Sequence, residues 1–203
     1  MQIKSQFTDN SIDFEYFINL IPEVTVLKTI IENNAAHKNE SVYDHTRVVF
    51  ENARLLVKKY GFSNINKNIF LLYLSIILHD LGKKDTIIRS NNITTCDGHE
   101  DRSEKIIKSS DILERFNLST EDKIWILKFI KNHVKIHKTL DKDDQYFESS
   151  IKDLKSEFPD MFVEYLIFGV ADIKDSYFKE FNSKEYTRRI DLLEIEIAKY
   201  NYK

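Results

Sequence analysis

An all-α helical bundle in a single domain, residues 1–203, is the fold this sequence predicts, and three observations carry it. Apolar residues recur with a helical period along most of the chain. Only 4 Gly and 2 Pro occur in 203 residues, too few for a strand-and-turn architecture. The segment from Ile69 to Leu78 is apolar at nearly every position, the mark of a helix enclosed by others rather than lying on a surface. A composition 42% hydrophobic and 31% charged supplies an ordinary globular core. No internal repeat or Pro/Ser/Gly linker divides the chain.

The first helical region runs through SIDFEYFINLIPEVTVLKTIIENN and is expected to break near Pro22. The second, SVYDHTRVVFENARLLVKKYG, places Val48, Val49, Leu55, Leu56 and Tyr60 on one side, with Gly61 as its stop. The third is the central helix, Asn66 to Leu81, terminated by Gly82. In CDGHEDRSEKIIKSSDILERF, Asp97 precedes Glu100 by three residues, the spacing of a capping box, which puts Gly98 and His99 in a first helical turn. STEDKIWILKFIKNHVKIH starts on Ser119 or Thr120. Pro159 opens the apolar helix PDMFVEYLIFGVADIKDSYF. An amphipathic helix from Ser183 to Tyr200 closes the chain, and no strand is predicted.

Composition also excludes. A net charge of −3 gives no basic field for extended nucleic-acid binding. Cys96 is the single cysteine, so there is no disulfide framework and a reducing compartment is expected. The N-terminal segment lacks a signal pattern, and no apolar run reaches membrane-spanning length. A cytoplasmic protein is the expectation.

The histidines stand in unusual places. His45 shares a helical stripe with Val48, Val49, Asn52 and Leu56. His79 ends the central helix and is followed by Asp80; His99 opens a helix; His133 lies on the apolar face with Phe129 and Ile130. A lone inward histidine is usually a hydrogen-bonded core residue. Four of them on four helices, with Asp80 and with Asp172 after the uncharged run Leu166 to Ala171, point instead to a metal ion that offsets the cost of burying carboxylates. Nitrogen and oxygen ligands without thiolate favour a borderline or hard divalent ion. His37 lies in a polar segment and is set aside; His137, four residues after His133, shares its face.

The ordered series His45, His79–Asp80, Asp172 resembles the signature of the HD-domain superfamily of metal-dependent phosphohydrolases. The strings YDHT at 43–46, LHDLGK at 78–83, GHEDRS at 98–103, NH at 132–133 and VAD at 170–172 are similar to the HD region of bacterial CCA-adding enzymes and of compact stand-alone HD hydrolases. The resemblance covers about residues 41–175. It implies an HD-type bundle with the metal site in its interior. His45, His79, Asp80 and Asp172 would bind one divalent ion (Mn, Fe, Co, Ni, Zn or Mg). His99 and His133 would hold a second ion sharing Asp80, or else contact the phosphate of the substrate directly.

Asp80 and Lys83 are then the candidate catalytic residues, Asp80 bridging ions or orienting the nucleophile. Lys83 and Arg102 would hold phosphate oxygens, unless they are ordinary surface cations. Glu100 and Ser103 read as supporting groups. The nucleotidyltransferase head of the CCA-adding enzymes has no counterpart in the roughly 40 residues before the motif, and DKDD at 141–144 reads as a solvated loop, so polymerase activity is not carried over. The activity implied is phosphomonoester or phosphodiester hydrolysis of a small, nucleotide-like substrate; the alternative is a non-catalytic metal-dependent nucleotide sensor.

Overall fold

The computed structural model describes residues 12–62, 67–141 and 144–200. Asp13 caps α1 (Phe14–Leu20) by accepting from the Tyr16 amide at 2.8 Å, and Pro22 opens a 3-10 helix, Pro22–Thr29. A hairpin follows, β1 (Ile31–Asn33) and β2 (Lys38–Ser41), leading into α2 (Val42–Lys59) and α3 (Lys67–Leu78). Next come α4 (Lys83–Thr86), a second hairpin of β3 (Ile88–Ser90) and β4 (Ile93–Thr95), and α5 (His99–Lys108). The chain continues through a 3-10 turn (Ile112–Arg115), α6 (Thr120–Asn132), α7 (Lys135–Leu140), α8 (Asp144–Glu157) and a 3-10 turn (Pro159–Met161). It ends in α9 (Phe162–Asp175), α10 (Phe178–Phe181) and α11 (Ser183–Ala198).

The apolar run on α3 does what its composition requires. Every residue from Ile69 to Leu78 is buried, and α3 packs against α2, α6 and α9. The second central element is α9, buried from Tyr165 to Ala171 and covered by α2, α7 and α11. Between them the Phe129 ring stacks on Tyr165 at 4.6 Å and meets the edge of Phe168 at 5.6 Å. Each such side chain contributes about 1.5–3 kcal/mol by burial. The all-α bundle holds.

Several local expectations need correction. Two antiparallel hairpins exist where no strand was predicted. The β3–β4 turn is Asn91–Asn92 at φ +48° and +63°, the left-handed pair of a tight two-residue hairpin, which asparagine tolerates well. The central helix ends at Leu78, so His79 to Gly82 form a turn; its expected start, Asn66, lies outside the described residues. Gly82 is no left-handed stop, since its φ is −71°. It is required because a Cβ there would overlap the His99 carbonyl and the Ser103 amide. Asp97 makes no capping box: Gly98, at φ +74°, precedes α5 without a side-chain cap.

Leu55 is 65% exposed, not inward with Leu56. Ser119 does cap α6, with Asp122 completing a capping box. Of the DKDD string, residues 142–143 lie outside the described residues; Asp141 is exposed and pairs with Arg189 at 2.8 Å. Among the described residues, no helix is long and apolar enough to cross a membrane.

Candidate metal centre

Each candidate ligand is placed by the end of a helix or by an inward face. Ser41 caps α2 through the Asp44 amide at 3.0 Å and sets His45 in the first turn, pointing inward. His79 and Asp80 occupy the turn after α3, His99 is the first residue of α5, and His133 is the C-terminal cap of α6. Asp172 and Asp175 project from the last turn of α9. The ligand atoms of His45, His79 and Asp172 lie within 4.8 Å of one another, and so do those of His79, Asp80 and His133.

The ring orientations follow from hydrogen bonds that admit only one donor. The Nδ1 atoms of His79, His99 and His133 face the carbonyls of Ile76, Cys96 and Ile130 at 2.7, 2.8 and 2.6 Å. A carbonyl only accepts, so each Nδ1 carries a proton, and in the neutral ring, the form that binds a metal, Nε2 is left to present its lone pair. Those lone pairs converge. His99 Nε2 is 3.1 Å from His133 Nε2, and the Nε2 atoms of His99 and His79 are each 3.2 Å from an Asp80 oxygen. Asp80 is 1% exposed, and neither of its oxygens accepts a hydrogen bond of good geometry. Two lone pairs at 3.1 Å and an orphaned carboxylate fit ligands about 2.1 Å from a shared cation, the arrangement of metal-bound imidazoles with their Nδ1–H held by a second group.

His45 is gripped from both sides by α9: Nδ1 lies 2.6 Å from Asp175 Oδ2 and Nε2 3.1 Å from Asp172 Oδ1. Burial pushes the His45 pKa down, but the hydrogen bonds to Asp172 and Asp175 outweigh it and raise it to about 10. Burial, then the neighbouring His79 and His99, drive His133 well below the usual histidine range. Burial would raise Asp80, yet His79 and Lys83 carry it well below the ordinary carboxylate value. The exposed members mark the open side: the side chains of His99, Asp172 and His137 are 15%, 21% and 27% accessible.

The structure thus brings together His45, His79, Asp80, His99, His133 and Asp172. Lys83 is there too, but buried, with Nζ 2.9 Å from Asp80 Oδ2 and 2.7 Å from Glu32 Oε2. Arg102 is not brought in; its guanidinium is nearly half exposed and bonds Asp85 at 2.5 Å. Ser103, fully buried, accepts from the Gly82 amide at 2.8 Å and donates to the His79 carbonyl at 2.7 Å, tying the His79–Asp80 turn to the helix that carries His99.

Four further residues join the site. Asp175 lies three after Asp172 on the same helix face, a spacing visible in VADIKD. His137, which shares the face of His133, reaches Asp172 Oδ2 at 2.9 Å and so belongs to the centre. Glu32 and His37, from the β1–β2 hairpin, carried no periodic signal. The His37 ring stands 4.6 Å from that of His45, and its Nδ1 meets Glu40 at 3.2 Å. The grouping of His37, Glu40 and His45 is satisfied internally, because Glu40 and Asp175 take up one ring nitrogen each.

A family model described as HD domain matches residues 42–197, most of the chain and as far as α11. The chain belongs to the HD-domain family. No curated protein matches it in a sequence search.

Proposed function

From membership of the HD-domain family, we propose that this protein is a metal-dependent phosphohydrolase acting on a small, nucleotide-like phosphate ester. The observation that carries the reading is the convergence of imidazole Nε2 lone pairs on the orphaned Asp80 carboxylate. His45, His79, Asp80 and Asp172 would hold one divalent ion; His99 and His133, sharing Asp80, would hold a second. When bound, such ions neutralise phosphoryl charge and lower the pKa of water from about 15.7 toward about 7.

Charge favours two ions over one. Asp80, Asp172, Asp175 and Glu32 oppose a single ammonium, Lys83, so with neutral imidazoles the formal balance of this cluster is −3. One divalent ion leaves −1, which repels phosphate; two leave +1, which attracts it. The chain's own groups do the rest. Asp80 orients the attacking water, Lys83 faces the phosphate charge, and the side chains at the mouth, His99 and His137, meet the ester as it enters.

A second reading, a nucleotide sensor that binds without turnover, is favoured by the two carboxylates that already occupy Lys83. A metal-supplemented screen of phosphate esters and nucleotides, with elemental analysis of the same sample, tests both. Hydrolysis with two ions per chain at saturating manganese is the expected result. Ligand binding with metal but no turnover on any ester leaves the sensor, and protein that takes up no stoichiometric metal overturns both.

A further inference from the structure

The β1–β2 hairpin lies before the matched region, which begins at residue 42, yet it sends into the centre a carboxylate as buried as the ligands themselves. Glu32 is 3% exposed, with Ile31 and Asn33 on either side of it more open, as alternation along a strand requires. Its Oε2 accepts from Lys83 Nζ at 2.7 Å; its Oε1 is approached by Asn34 Nδ2 at 3.5 Å and Cys96 Sγ at 3.7 Å. The carboxylate is therefore held on both oxygens, in a strand where Glu32 pairs with Glu40 of β2 and the register shifts at the next residue.

Lys83 has a difficult position. Its ammonium sits 2.9 Å from Asp80, the residue that two divalent ions would share, and those ions repel it. A fixed negative charge on the far side is what keeps a cation there. An ammonium has three N–H donors; Glu32 takes one of them in a hydrogen bond, while Asp80 pairs with the charge at 2.9 Å. Resting on the phosphohydrolase reading, we propose that Glu32 is a positioning residue: it anchors Lys83 beside Asp80, charged, with an N–H left for a phosphoryl oxygen. The hairpin outside the matched region would then set the affinity for the phosphate group, while the helices hold the ions.

The test is calorimetric binding of inorganic phosphate to manganese-loaded protein, with metal content measured in parallel. The chains compared are wild type, Glu32→Gln, Glu32→Asp, Lys83→Met and the double variant Glu32→Gln/Lys83→Met. Glu32→Gln should keep its metal and weaken phosphate binding about tenfold, the size of one charge-assisted contact. Glu32→Asp should recover part of the loss. In the Lys83→Met background the Glu32 change should add nothing, because it acts through Lys83. Unchanged phosphate affinity in Glu32→Gln, effects that add in the double variant, or loss of metal from Glu32→Gln each overturn the proposal while leaving the phosphohydrolase reading standing. Wild type that binds no metal overturns that reading and takes this one with it.

Discussion

The helical wall of the centre, made by α2, α3, α5, α6 and α9, carries the candidate ligand atoms; the hairpin wall, made by β1 and β2, carries the countercharge to Lys83. On the helical side imidazoles and carboxylates are aimed at a common point, with the Nδ1 atoms of His79, His99 and His133 held by carbonyls and that of His45 by Asp175. On the hairpin side the groups are aimed at one another, Glu32 at Lys83 and His37 at Glu40. The same contrast appears in two buried carboxylates. Burial raises the pKa of Glu32, but Lys83 and His37 more than offset it and the net shift is downward. Glu164, on α9 away from the centre, is buried too, but its pKa goes up, because burial outweighs the hydrogen bonds, Asn68's among them, that lower it. Ion pairing, not burial alone, decides which acid stays charged.

The largest expected effect breaks the helical wall. Changing His45, His79, Asp80 or Asp172 to Ala should remove most bound metal and all hydrolysis, while His99→Ala or His133→Ala should leave one ion of two; elemental analysis and turnover measure both. If Asp172→Ala kept full metal and rate, the wall would have to be redrawn around other ligands. Next in size, Leu74→Ala or Ile77→Ala, both fully buried on α3, should cost about 2–5 kcal/mol in denaturant unfolding. The surviving folded chains should still bind metal, which separates the scaffold from the ligands it carries.

Gly82→Ala should cost about 1–3 kcal/mol, since the new methyl group meets backbone rather than flexible side chains. It should also lower occupancy of the second ion more than the first, because His99 is what it pushes. Metal titration reads this directly, and equal loss at both sites would show that the contact does not discriminate. The smallest effect sharpens the contrast between the two acids. A folded-state pKa raised by burial means that Glu164 costs stability as pH rises above its unfolded value near 4.5. Glu164→Gln should therefore gain up to about 1 kcal/mol over wild type at neutral pH, with the gain fading in acid. Glu32→Gln should show no such gain, since its pKa is shifted the other way. Denaturant melts across pH check the pair.

The two walls also differ in how they could be read from the chain. Helix period carried the inward direction of His45 and His133, and the ends of helical patterns located His79, Asp80 and His99. All six ligand candidates meet in space for that reason. Asp175 and His137 repeat the spacing of residues already singled out, so their signal was present. Glu32 sits in a strand of three residues, too short to show alternation, and no local pattern can announce a partner 51 positions away. Arg102 illustrates the opposite error: it lies one turn after His99, but its long side chain reaches out to Asp85 instead. The Asn91–Asn92 turn had a local signal, since paired asparagines tolerate the left-handed backbone of a two-residue hairpin.

Three imidazoles take their orientation from a carbonyl only three residues earlier, in the turn that each of them ends or begins. An instruction written within four consecutive residues is executed as soon as that turn forms, before distant parts of the chain arrive. The rotamer entropy of those rings, up to about 1–2 kcal/mol for a long side chain, is already lost when an ion comes. Loading then needs no search by the ligands. Its speed should follow how readily the incoming ion sheds its water, so manganese should enter faster than magnesium, which dehydrates reluctantly.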